Sequence, residues 1–292
     1  MEKIVESRKL KYKTLENRVH AKRKKSKKVP TIAITDLEPT EIPHHFNLTH
    51  RLPTELEFSP RKTKKISFLP THLNSVLVDY GIATSGSPIN ESLIRSRINV
   101  IILTTLAKMK REFPAKPRTP VASPASLKSI HLQFDREIEF IWKSDNRRVR
   151  LSGIVDYSLW YGMSDDYSTN MVMVEARQPD LIKRGVLQCL AYMAMIHETR
   201  RRAKIIDTSV YGIATDSFQW VFIRIRPNGE WTEKAYHWVH NAQEIVSMLA
   251  NIFAHTATSH KWWNLGIETE VSTSLEQLKL KPKSKRDLRH SI

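Results

Sequence analysis

The sequence predicts an α/β fold with a mixed central sheet, and three observations predict it. Ile94, Ile98, Ile101, Ile102 and Leu106 recur at three- and four-residue spacing, the period of a helix with one buried face. Strand-like segments follow: His131 to Trp142, partly alternating, then Arg148 to Trp160 and Met171 to Arg177. A helix that is apolar nearly all round then runs from Leu181 to His197, and a helix of that kind packs inside. Helices alternating with strands imply layers packed around a sheet.

The elements can be justified in order. Leu73 to Tyr80 suits a short helix. Asn90 is placed to cap the next helix, and Glu91 sits in its first turn, where the helix dipole favours an anion. That helix should stop near Glu112, because Pro114, Pro117, Pro120 and Pro124 cannot continue it. Tyr161 to Asn170, with Gly162, Asp165 and Asp166, reads as a polar turn between the second and third strands. Pro179 suits the first turn of the buried helix, and Arg200, Arg201 and Arg202 suit its C-terminal end. Ser209 to Thr215 and Phe218 to Ile225 form a hairpin around Asp216-Ser217, and Asn228-Gly229 marks a further turn. A last helix is expected from Ala242 to Ala257.

Composition narrows the function classes. With 40% hydrophobic and 26% charged residues, the chain is not wholly disordered, and 8 Gly against 14 Pro is not collagen-like. The best apolar run, Ile98 to Ala107, is interrupted by Asn99, Thr104 and Thr105 and falls short of the roughly 18 residues of a membrane span, so no membrane partner is expected. The N-terminus has no apolar core for a secretory signal. The single cysteine, Cys189, excludes an intrachain disulfide and reads as core.

The net charge of +17 is concentrated at the ends. Residues 1–29 hold 12 basic and 3 acidic side chains, and residues 279–292 hold 6 basic and 1 acidic. This leaves the 249 residues between them only +3. The organisation expected is a disordered basic arm and linker over 1–65, a folded body over 66–262 and a basic tail over 263–292. The run Lys22-Arg23-Lys24-Lys25-Ser26-Lys27-Lys28 suits nuclear import or phosphate contact. The expected location is the nucleus, with the cytoplasm as the alternative.

Four residues stand out chemically. Asp156 lies in a strand after Gly153, Glu175 near the end of the next, and Gln188 and Tyr192 one turn apart on the following helix. A carboxylate at a buried strand end is costly unless it is paired or binds a cation, and two from neighbouring strands can hold a divalent metal. The ordering Asp156, eighteen residues, Glu175-Ala176-Arg177, then Gln188-x-x-x-Tyr192 resembles the PD-(D/E)XK nuclease superfamily. With Asn90-Glu91 and Gly153 to Asp156, the wording is similar to fungal-type PD-(D/E)XK-like domains over roughly residues 66–260.

The resemblance implies a restriction-endonuclease-like core of helix, three strands, helix and strand hairpin. It implies metal-dependent phosphodiester hydrolysis of nucleic acid, DNA in preference to RNA. Asp156 and Glu175 would hold Mg²⁺ or Mn²⁺ with the Ala176 carbonyl, and Glu91 is a candidate additional ligand. Gln188 and Tyr192 would order the site or the substrate, and Lys183 is a candidate substrate contact. Arg177 stands where the superfamily has lysine. A guanidinium clamps phosphate in a fork, but it cannot act as a general base. Lys183 or Lys143 could substitute. The alternative is a degenerate nuclease-fold module that binds nucleic acid or protein partners without cleaving.

Overall fold

The computed structural model describes residues 29–54, 69–112, 130–144, 147–161, 171–175 and 181–254. Two short strands, β1 (Thr31–Ala33) and β2 (Thr49–His50), flank a short helix, α1 (Ile42–His45). Helices α2 (Thr71–Ala83) and α3 (Glu91–Glu112) follow, then β3 (Ile130–Ser144), β4 (Arg147–Tyr161) and β5 (Met171–Glu175). Helix α4 (Ile182–Arg202) leads to β6 (Val210–Thr215), β7 (Gln219–Ile225) and β8 (Glu230–His237), and helix α5 spans residues 238–254.

The sheet is mixed, as expected. β3 and β4 form a long antiparallel hairpin, and β4 also pairs antiparallel with β5. β5 runs parallel to β6, with α4 as the crossover, and β6, β7 and β8 form an antiparallel meander. A crossover helix is what joining two parallel neighbours requires. Helices cover both faces. Along β7, Trp220 and Phe222 join the core under α2, α3 and α5, while Val221, Ile223 and Ile225 join the core under α4. That alternation is the pleat of a strand buried on both sides. Each of Ile94, Ile98, Ile101 and Ile102 on α3 is buried, and complete burial of one such side chain contributes about 1.5–3 kcal/mol.

The α3 boundaries match the sequence reading. The Asn90 Oδ1 accepts the Leu93 backbone N–H at 2.9 Å, so the cap is made as expected. α4 continues through Arg202, taking in the three arginines expected at its end. Cys189 is core: it packs against Gly212 of β6, where an added Cβ would run into the Cys189 and Met193 sulfurs. The close fit of α4 on the sheet therefore requires glycine at that point.

One expectation needs correction. The stretch 31–50 was expected within a disordered linker, yet β1 pairs with β4 and β2 pairs with β8. Between them, Ile34, Ile42 and Leu48 are buried against the α4 core. Elements of two to four residues leave no periodic signal, and their burial depends on partners more than a hundred residues away. β8 is a strand beyond those expected. Trp231 and Thr232 are buried while Glu233 to His237 are mostly wet, so apolar alternation is weak. Among the described residues, no helix is long and apolar enough to cross a membrane.

Candidate functional site

β4 changes character at Asp156. Leu151 and Val155 lie in the α4-side core, whereas Tyr157 and Leu159 lie in the α3-side core, although all four have the same parity. The break coincides with Asp135 on β3. Asp135 has a left-handed φ of 48°, and no backbone pair joins it to Asp156, although Phe134 pairs with Tyr157 and Arg136 with Val155. A non-glycine residue at that φ is uncommon, though aspartate tolerates it better than most.

The Asp156 carboxylate is engaged from α3. Arg95 Nη2 donates to Asp156 Oδ1 at 2.7 Å, and Nη1 of the same guanidinium donates to Asp135 Oδ1 at 3.0 Å. Asp156 is 21% exposed and Arg95 31%, so the pair is partly shielded from water, while Asp135 at 61% is well hydrated. The helix is set against the strand by Tyr157, whose hydroxyl donates to Asn99 Oδ1 at 2.8 Å. The Tyr157 hydroxyl also lies 3.3 Å from the Arg95 carbonyl.

On the other side, α4 fixes the strand just before Asp156. The buried Tyr192 hydroxyl donates to the Ile154 carbonyl at 2.9 Å. Since that bond uses its proton, the Gln188 amide, which also bonds the hydroxyl, supplies an N–H. Burial pushes the Tyr192 phenol above its ordinary value; the Gln188 bond works against this, and the nearby Asp156 charge adds to it. Gly153 makes room for the ring, because a Cβ there would stand 2.7 Å from Tyr192 Cε1. Tyr192 therefore holds β4 in place and is too buried to meet a substrate directly.

The structure brings together Asp156, Gln188 and Tyr192 of the expected set. Glu175 ends β5, two residues beyond Met173, the partner of Tyr157. Asp156 lies inside β4, next to Tyr157, so Asp156 and Glu175 both stand just beyond the same end of the paired β4–β5 segment. The Glu175 side chain, Ala176 and Arg177 lie outside the described residues. Glu91 is exposed at the first position of α3, one turn before Arg95. Lys183 is exposed in the first turn of α4, and Lys143 is exposed near the far end of β3.

No protein-family model matches the chain, and no curated protein matches it. The reading of the site therefore rests on geometry. Among the described residues, no three His, Cys, Asp or Glu side chains gather closely enough to hold a metal ion. The described member of the expected ligand pair, Asp156, is committed to a guanidinium. With Arg95 in that position, the described part of the expected ligand set does not fit a divalent cation.

Sequence reasoning missed Arg95 and Asp135. Arg95 follows Glu91 by one helical turn, so the two share a helix edge, and Asp135 interrupts the apolar alternation between Phe134 and Ile138. Those were the available signals. The pairing itself spans 61 residues and leaves no local trace.

Proposed function

We propose that the chain is a nucleic-acid-binding domain with a restriction-endonuclease-like core of the PD-(D/E)XK type, one that engages DNA in preference to RNA and does not cleave it. The antiparallel trio β3–β4–β5, the α4 crossover, the parallel β6 and the hairpin to β7 support this core. The observation that carries the loss of cleavage is the 2.7 Å contact from Arg95 to Asp156. The carboxylate on which a metal-activated water would depend is neutralised by a fixed cation. The arginine at position 177, where a lysine is expected, points the same way.

The basic arm supplies sequence-independent affinity and nuclear delivery in this reading. Each phosphate contact it makes steepens the salt dependence of duplex binding by about 0.9 in log-log slope. Deleting residues 1–29 should flatten that slope, and a fluorescence-polarisation titration across salt concentrations measures it.

One observation favours a second reading, metal-dependent hydrolysis. Asp156 and Glu175 stand just beyond the same end of the paired β4–β5 segment, and Asp156 lies near the Gln188–Tyr192 pair, the arrangement that chemistry uses. The deciding experiment incubates the purified chain with single- and double-stranded DNA and RNA in Mg²⁺, Mn²⁺ or EDTA. Binding without product in all three is expected. Metal-dependent product that Asp156→Asn abolishes overturns the proposal in favour of hydrolysis.

A further inference from the structure

We infer that Arg95 is a built-in counter-ion that takes the place of a divalent cation at Asp156, so that the domain carries a latent cation site which its own α3 helix keeps closed. The inference rests on the nuclease-like reading of the core and names what regulates the metal response of that site. A partly buried carboxylate inside a strand is costly unless it is paired. Here the partner comes from the same chain, with one guanidinium nitrogen directed at each of two carboxylates.

The supports of Arg95 are themselves structural. α3 is anchored by buried Ile94 and Ile98 on either side of Arg95, and Tyr157 ties the helix to β4 through Asn99. The guanidinium is therefore delivered by a packed helix, not by a loose surface side chain. A dication on Asp156 would sit within a few ångströms of this like charge, in a region only partly open to water, where the repulsion is poorly screened. Arg95 and a metal thus exclude one another. The left-handed Asp135 directly across from Asp156 places a second carboxylate on the same nitrogen fork.

The test uses the full chain and Mn²⁺ alone as probe, with melting temperature as the readout. Wild type, Arg95→Gln and Arg95→Met are compared, each with and without Asp156→Asn. Methionine keeps most of the apolar stem, so either variant that folds decides the outcome. Wild type should be indifferent to millimolar Mn²⁺. The Arg95 variants should gain about 2–4 °C at a tenfold excess over Kd, since a ligand specific to the native state stabilises it. Asp156→Asn should remove the gain. An Asp156-dependent shift in wild type, or no shift in either folded Arg95 variant, overturns the inference. The two readings fail separately: cleavage by wild type sinks the binding-only function, whereas silent Arg95 variants in a non-cleaving protein sink only the counter-ion role.

Discussion

Two arginines tie helices to the sheet, and they bind different kinds of group. Arg200, near the end of α4, is buried and donates to the backbone carbonyl of Ser209. One turn earlier, His197 Nδ1 donates to the Thr208 carbonyl at 2.8 Å, and Glu198 holds Arg201 and Arg202 at 2.6 and 2.8 Å. The clasp consists of cations and donors at a helix C-terminus, satisfying carbonyls of the loop that returns to β6. Arg95 does the opposite: its partners are two carboxylates, groups that can bind other cations. The first arrangement satisfies backbone carbonyls, whereas the second neutralises groups that could bind another cation.

If the contrast is right, truncation should hurt the clasp most. Arg200→Ala should cost about 3 kcal/mol, because it removes a charged donor and strands a buried carbonyl. Urea denaturation measures it, and a loss below half that would mean that the Ser209 bond does not hold α4 to the loop. Next in size is Gly153→Ala, which drives a methyl group into the Tyr192 ring. Overpacking of this kind costs about 1–3 kcal/mol. Tyr192→Phe, which releases the Ile154 carbonyl and the Gln188 amide, should cost about 1 kcal/mol. If Gly153→Ala proves the milder change, α4 yields more readily than the contact distances imply.

The clasp should also carry a pH signature. Burial holds the His197 imidazole below its ordinary value of 6.5, opposed by its Thr208 bond and the Glu198 charge and aided by Arg200 and Arg201. A depressed folded-state value means the stability it contributes is complete above about pH 6.5 and is lost as pH falls through the depressed value. His197→Asn should flatten the fall in melting temperature between neutral pH and that value. Glu198 is also held low: burial pushes it up, but bonds from Arg201 and Arg202 prevail. Its contribution is lost at more acid pH, below the ordinary carboxylate value of 4.5, so the two transitions can be separated.

What the sequence disclosed divides along the same line. α3 was legible to the residue, because an Asn90 cap, a helical apolar period and a proline run are all local signals. The β3–β4–β5 order, the α4 crossover and the β6–β7 hairpin were legible too, since each element is long enough to show a period. β1, β2 and β8 were not, because their burial is set by neighbours in the sheet. Asp156, Gln188 and Tyr192 stand out in the sequence by their spacing. Their roles do not: spacing cannot reveal that Tyr192 points its hydroxyl at a backbone carbonyl or that Asp156 already has a partner. Arg95 and Asp135 come from elements 40 residues apart, and only the folded chain brings them together.

The central claim is that Arg95 and Asp156 act as one unit, and a double-mutant cycle tests it most directly. Arg95→Gln, Asp156→Asn and the double variant are unfolded in urea at neutral pH and low salt. For a partly shielded pair, a favourable coupling of about 0.5–1 kcal/mol is predicted, falling as salt is raised. Additive effects at every salt concentration would mean that the guanidinium does not hold the carboxylate, contradicting both the loss of cleavage and the latent cation site.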